Sequence, residues 1–311
     1  MTIIWGSNFS VIKTAFRELD PHAFNALRMI VASLAFLAVM GLARWRLAAA
    51  PDSTFYSPAT VTRREWLQLA VLGVIGHVLY QLCFIGGLAR TSVANSSLML
   101  AATPVLIAIV SAALGHERIG RRHWMGAAVS TAGIYLVVGR GFAPGGPGLV
   151  GDLLMFGAVC CWAIYTLGAR PMMARHSPVA VTGLSMALGT LVYVPIVWPQ
   201  MRDTDWARVS AWTIGLAVYS ALFALCVAYT IWYVAVRQIG SARTAAYSNL
   251  IPVVAMGSAV LFLGSRSRRG KSLAPRRCSR VLRSRAWGQK WRYRLRSDRR
   301  GVTGGTEPTD L

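Results

Sequence analysis

Long uninterrupted apolar runs constrain this sequence more than any other feature. Eight runs reach the length of about 20 residues that a helix needs to cross a bilayer: 21–42, 66–88, 93–114, 123–139, 151–169, 179–198, 212–236 and 243–264. A ninth run, residues 1–16, has the same character but is short. We expect the true start codon to lie upstream, so that the first helix is truncated in this sequence. Because a spanning backbone must satisfy its own hydrogen bonds, the sequence predicts an all-α polytopic membrane protein.

The few charged residues are unevenly distributed. They make up 14% of the chain, against about 25% in a soluble domain, which excludes an ordinary soluble enzyme. Residues 1–264 hold 18 basic and 8 acidic side chains, whereas residues 265–311 hold 15 and 3. A cytoplasmic N-terminus places eleven arginines in inside loops and five in outside loops. The positive-inside rule therefore predicts that orientation, in the cell inner (plasma) membrane.

An internal repeat divides the apolar part of the chain. Trp5 recurs as Trp162, 157 positions later, and the segment 88–104 recurs as 236–252, 148 positions later. We expect five helices in each half, and an odd number inverts the second copy in the membrane, as in many secondary transporters. The predicted units are a first repeat at 1–139, a connecting loop at 140–150, a second repeat at 151–264 and a tail at 265–311.

Several short motifs resemble the EamA-type members of the drug/metabolite transporter superfamily. They are Trp5-Gly6-Ser7-Asn8, Arg28, Pro104 with Leu114-Gly115-His116-Glu117, and Gly126-Ala127-Ala128 with Ala132-Gly133. The resemblance covers residues 1–264 and is not specific for a substrate. It implies a ten-helix, two-repeat carrier that moves small metabolites through a central cavity, usually as an exporter.

The tail departs from that pattern. After Gly264 the family would show a Glu, a polar turn and a tenth helix, whereas residues 265–311 are basic and hydrophilic. Restoring one base after the Gly264 codon lets the segment read Glu-Pro-Val-Thr-Ala-Arg-Gln-Val-Ala-Gly-Ala-Ala, which parallels the sequence from Glu117 to Ala128. We therefore expect a disordered, out-of-frame tail, two inverted repeats with the tenth helix missing, and poor or no transport by the chain as written.

Polar and aromatic side chains within the runs are the candidate substrate contacts. An unpaired amide is costly in lipid, so these side chains should face the cavity between the halves. The candidates are Trp5, Asn8, Arg28, His77, Tyr80, Gln81, Asn95, Trp162, Tyr165, Tyr229, Trp232, Tyr247 and Asn249. His77 is either a packing residue or a proton site, with packing favoured. Pro104 and Pro252 are expected to kink their helices.

Two classes of function remain from the sequence. The favoured one is a secondary transporter, a small-metabolite or amino-acid exporter that works by alternating access and is driven by proton antiport or by the substrate gradient. The alternative is a membrane-embedded enzyme, which needs a cluster of His, Asp or Glu at membrane depth, where Asp152 is the only acidic residue near a helix end. No ATP-binding, metal or nucleophile motif is present. We expect no catalytic residue, cofactor or metal.

The partners expected from the sequence are small and few. They are a small-molecule substrate, the lipid bilayer and protons as the coupling ion. The arginine-rich tail suits a nucleic-acid partner by composition, but an out-of-frame translation explains it better, so no nucleic acid is expected. The sequence leaves both a monomer and a homodimer open.

Overall fold

A computed structural model describes residues 1–46, 53–113 and 148–263, with the isolated positions 115, 120, 121, 124–126, 128, 129 and 132. Within those ranges every regular element is helical, and all the described residues belong to one compact unit, Met1–Ser265. The helices are α1 Thr2–Ala15, α2 Pro21–Arg46, α3 Arg63–Arg90, α4 Val93–Leu100, α5 Thr103–Ala113, α6 Leu149–Ala169, α7 Pro178–Ile196, α8 Trp198–Arg202, α9 Ala211–Ile239, α10 Ser241–Ala246 and α11 Ile251–Leu263.

Seven stretches of the described chain are long and apolar enough to cross a membrane. They are Pro21–Arg46, Arg63–Arg90, Asn95–Ala113, Leu149–Ala174, Pro178–Ile196, Ala211–Ile239 and Ser241–Leu261. They coincide with seven of the eight predicted runs, which confirms the all-helical, polytopic prediction. The predicted fifth helix at 123–139 and the tail at 265–311 lie outside the described residues, apart from isolated positions in the former. The number of helices in each repeat stays a prediction.

Two membrane stretches are interrupted at equivalent positions. A turn at residues 101 and 102 separates α4 from α5, and a 3-10 segment, Tyr247–Leu250, separates α10 from α11. Pro104 and Pro252 are the second residues of the helices that follow. A proline in the first turn costs no hydrogen bond because that N–H has no partner in the helix. Each proline thus lies in the first turn of a new α-helix, directly after an interruption of regular α-helix.

Two π-helical segments also occupy equivalent positions. One is Val74–Leu79 within α3, and the other is Ser220–Val227 within α9. The second covers the residues that lie 148 positions after the first. Such a segment changes the hydrogen-bond register of a helix locally, and π-helical turns are frequent at functional sites. The hydrophobic pattern gave no sign of either segment.

Contacts between the helices are reciprocal in the two halves. α1 packs along α11, while α6 packs along α4 and α5. α3 packs on α7, α9 packs on α2, and α2 and α7 pack along each other. Exchanging the halves maps the α1–α11 contact onto the α6–α5 contact, the α3–α7 contact onto the α9–α2 contact, and the α2–α7 contact onto itself. A twofold relation between two inverted copies requires this pattern.

Two carboxylates join the halves at helix N-termini. Glu65 accepts hydrogen bonds of 2.8 Å from both the N–H and the hydroxyl of Thr62, and its other oxygen accepts one of 2.9 Å from Arg175. Glu18 accepts bonds from the hydroxyl (2.7 Å) and the backbone N–H (2.9 Å) of Ser210, the N-cap of α9. Thr62 and Ser210 are 148 positions apart, and Glu18 and Arg175 are 157 apart. The two contacts therefore occupy repeat-related positions.

Replacing Glu18 with glutamine is expected to remove a small, pH-dependent stabilisation. The hydroxyl and backbone hydrogen bonds from Ser210 hold the pKa of Glu18 below its usual range. A depressed native pKa stabilises the fold above the unfolded-state value of about 4.3 and stops doing so as the pH falls through the lower native value. Melting temperatures of wild type and E18Q should differ slightly near neutral pH and converge in acid. A difference that is independent of pH would contradict this account.

Candidate functional site

Four aromatic rings from three helices meet at the centre of the described fold. Trp5 of α1 contacts Trp162 of α6 edge to face, with ring centroids 5.7 Å apart. Tyr229 and Trp232 of α9 complete the group, at 5.1 and 5.5 Å from Trp162. All four were predicted to face a cavity, and the structure brings them together. We call these four residues the aromatic cluster.

Backbone irregularity of α9 holds the cluster in position. The Trp5 indole N–H donates a 2.9 Å hydrogen bond to the carbonyl oxygen of Ala224, which lies inside the π-helical segment. In the same segment the Ser220 hydroxyl donates a 2.7 Å bond to the side-chain oxygen of Asn8. Both bonds fix α1 of the first half on α9 of the second half, so Asn8 has a positioning role at the edge of the site.

A cavity of about 60 Å³ lies against the aromatic cluster. Leu100 and Thr103, on either side of the α4–α5 interruption, line it from one half, and Ser248 and Ile251 line it from the equivalent interruption in the other half. One buried water needs about 10–15 Å³, so this volume admits a few waters. A metabolite could occupy the site only if the surrounding helices moved apart.

Arg28 brings a positive charge to this cavity. It belongs to α2, is 2% exposed and is part of the cavity lining. Its Nε and Nη1 atoms have no hydrogen-bond partner among the described residues. None of the residues that line the cavity is acidic. The site therefore presents a cation among aromatic rings.

His77 lies behind the aromatic cluster and outside the cavity lining. Its Nε2 atom is 3.0 Å from the Tyr165 hydroxyl, which is in turn 2.8 Å from the Ser185 hydroxyl of α7. The imidazole stacks on Tyr229 with centroids 6.0 Å apart. This hydrogen-bonded chain joins α3, α6 and α7.

The other predicted residues are divided between the cavity and the rest of the fold. Tyr80 lines the cavity, and Tyr165 contacts Trp162 with ring centroids 5.9 Å apart. The structure leaves six candidates outside the cavity lining: His77, Tyr165, Gln81, Asn95 and Asn249, which are buried, and Tyr247, which is 58% exposed. Sequence reasoning missed eight lining residues: Phe9, Phe84, Leu100, Thr103, Ala224, Leu225, Ser248 and Ile251. Four of these eight residues, Leu100, Thr103, Ser248 and Ile251, lie beside the helix interruptions that precede Pro104 and Pro252.

Curated proteins similar to this chain are described as transporters. An uncharacterized transporter of Archaeoglobus fulgidus is 27% identical over 254 residues, which cover 81% of this chain and 82% of that protein. A probable terminal-alkyne amino-acid exporter of Streptantibioticus cattleyicolor is 24% identical over 84% of this chain and 82% of its own length. A probable amino-acid metabolite efflux pump of Salmonella typhimurium is 25% identical over 85% of each chain.

Two further comparisons show the fold and the family of this chain. A solved crystal structure covers 86% of this chain with a TM-score of 0.66 and 18% identity, and 87% of that structure is matched, which shows a shared fold. The profile of the EamA-like transporter family matches residues 1–139 and again residues 149–272. These two matches take in all the helices described above and the aromatic cluster. The chain belongs to the EamA-like transporter family.

Proposed function

We propose that this chain is a secondary exporter of a small, amino-acid-like metabolite. Membership of a transporter family supports the transport activity. The names of two similar proteins, an amino-acid exporter and an amino-acid metabolite efflux pump, support the substrate class and the direction. No ATP-binding motif occurs in the sequence, so the driving force would be proton antiport or the substrate gradient.

The observation that carries the proposal is the place of the cavity between the two halves. Both helix interruptions flank it, at positions that the internal repeat makes equivalent. In inverted-repeat transporters the substrate site lies at the repeat interface, beside discontinuous helices, and one repeat rocks against the other. In this chain the same motion would open the cavity first to one side and then to the other.

Counterflow in proteoliposomes tests the proposal. Vesicles containing the purified protein are loaded with one unlabelled amino acid, and uptake of the labelled compound is followed for aromatic, branched-chain and small neutral amino acids. The 311-residue chain is compared with a version that carries the reconstructed helix after Gly264. We expect uptake with at least one compound, and faster uptake with the reconstructed helix. No uptake of any compound by either chain would contradict the proposal.

The same vesicles separate a transporter from a membrane-embedded enzyme. An enzyme would need clustered His, Cys, Asp or Glu side chains at membrane depth. The residues that the structure describes include no group of three or more that could hold a metal ion. Chemical conversion of a compound without its movement across the bilayer would favour the enzyme.

We propose that the protein lies in the inner membrane of the cell with its N-terminus in the cytoplasm. The arginine distribution supports it. Cysteines introduced at Gly120 and Gly145, one at a time, test it with a reagent that does not cross membranes. Labelling of intact cells is expected at position 145 and not at position 120, and the reverse pattern would contradict the orientation.

A further inference from the structure

Arg28 is the buried cation for which the described fold supplies no counter-charge. The described residues include six acidic side chains, and each of them contacts another group. Glu18 is bonded to Ser210, Asp20 to the N–H of His22, Glu65 to Arg175, Asp152 to Thr91, Asp203 to Arg202 and Asp205 to Arg208. A buried charge without a partner is costly unless it faces water or a ligand. Arg28 faces the cavity, so a ligand there can supply the missing charge.

We propose that the substrate carries a carboxylate that binds the Arg28 guanidinium while its apolar body lies against the aromatic cluster. This inference rests on the proposed function and names the substrate group that the same site recognises. Guanidinium offers a planar pair of N–H donors that matches the two oxygens of a carboxylate. The Nε and Nη1 atoms of Arg28 lie on different edges of that planar group, and both lack a partner among the described residues, so either edge keeps a donor for a carboxylate oxygen.

The rest of the lining favours a monoanion over a phosphate. A phosphate carries close to two negative charges at neutral pH, and no second basic residue lines the cavity. One guanidinium balances one carboxylate. The remaining walls are apolar and aromatic, including Phe9, Phe84 and Ile251. They would pack against a hydrocarbon or aromatic side chain of the substrate.

The site recognises an ammonium group less well than a carboxylate. No acidic residue lines the cavity, so an ammonium would be stabilised through the faces of the Trp and Tyr rings. Removing the amine from an amino acid should therefore weaken binding much less than removing its carboxylate. This difference separates recognition by Arg28 from general affinity for aromatic compounds.

Equilibrium binding to the purified full-length chain tests the inference without requiring transport. The probes are labelled 3-phenylpropionate, with L-phenylalanine, 2-phenylethylamine and phenyl phosphate as competitors. We expect the two carboxylates to bind more tightly than the amine and the phosphate. Loss of a charge-assisted pair is worth about 1.5–3 kcal/mol, so Arg28→Gln should weaken binding of the two carboxylates roughly 10–100-fold. Arg28→Lys keeps the charge but loses the planar pair of donors, so its affinity for the two carboxylates should lie between those of wild type and Arg28→Gln.

A matched control and the possible outcomes complete the test. Arg202→Gln removes an exposed arginine and should leave all affinities unchanged. The inference is overturned if Arg28→Gln binds 3-phenylpropionate like wild type while circular dichroism shows both folded, or if wild type prefers the amine or binds none of the probes. Arg28-dependent binding without flux in either chain would instead overturn the proposed function and leave carboxylate recognition standing.

Discussion

Gly189→Val is expected to prevent stable folding. A Cβ atom at Gly189 of α7 would lie 2.5 Å from the Cβ atom of His77 and 2.7 Å from the carbonyl oxygen of Gly73. Gly73 is equally constrained, because its own Cβ would lie 2.6 Å from the Ser185 carbonyl oxygen. Backbone atoms cannot move aside as a flexible side chain can. Small residues allow such close helix contacts in membranes, and overpacking costs about 1–3 kcal/mol or more.

Gly215→Val is the matched control for Gly189→Val. Gly215 lies in another membrane stretch, α9, and a Cβ atom there would meet nothing within 4 Å. Both substitutions add the same side chain to a helix. Size-exclusion chromatography and thermal unfolding in detergent should show an aggregated or much less stable Gly189→Val and a nearly unchanged Gly215→Val. Similar behaviour of the two variants would show that α3 and α7 can separate at little cost.

Trp162→Ala is expected to be the most damaging truncation in the aromatic cluster. The Trp162 ring contacts Trp5, Tyr229 and Trp232, and it is 5% exposed. Loss of a buried tryptophan costs about 3–5 kcal/mol, and it removes the one ring that α6 contributes to the cluster. We expect a strongly lowered melting temperature and loss of counterflow. Trp162→Phe should recover part of both.

Trp212→Ala provides the comparison for Trp162→Ala. Trp212 is 69% exposed in the first turn of α9 and makes no ring contact with another residue in the described part of the chain. Its removal should change the melting temperature and the counterflow rate little. If the two alanine variants lose stability and flux equally, the aromatic cluster is not the structural centre of the site.

The sequence predicted the membrane helices well, because their signal is direct. A run of about 20 apolar residues has few alternatives to a spanning helix, and seven predicted runs coincide with described stretches. The π-helical segments Val74–Leu79 and Ser220–Val227 were not predicted. Both segments lie inside long apolar runs, 66–88 and 212–236, so the hydrophobic pattern does not distinguish them from the α-helix around them.

The sequence predicted the aromatic residues of the site but not its apolar ones. Trp5 and Trp162 were found because large aromatic rings at repeat-related positions are conspicuous. Leu100 and Ile251 were missed because they are apolar residues in apolar runs, and only the adjacent interruptions bring them to the cavity. Tyr247 begins a 3-10 segment, whose tighter winding changes the direction of its side chain from that of a continuous α-helix, and it is exposed.

Occupancy of the cavity by a transported compound can be measured directly through a cysteine at Thr103. Thr103 lines the cavity and is 3% exposed, so a thiol there meets a water-soluble reagent only when the cavity opens. The five native cysteines are first replaced with alanine, and Gln238→Cys, at an exposed position, is the control.

We expect slow labelling of Thr103→Cys that falls further when the fastest-exchanging compound saturates the protein, while labelling of Gln238→Cys is unaffected. Labelling of Thr103→Cys that the compound does not slow, or no labelling while the compound still exchanges across the membrane, would contradict the claim that substrate passes through this cavity.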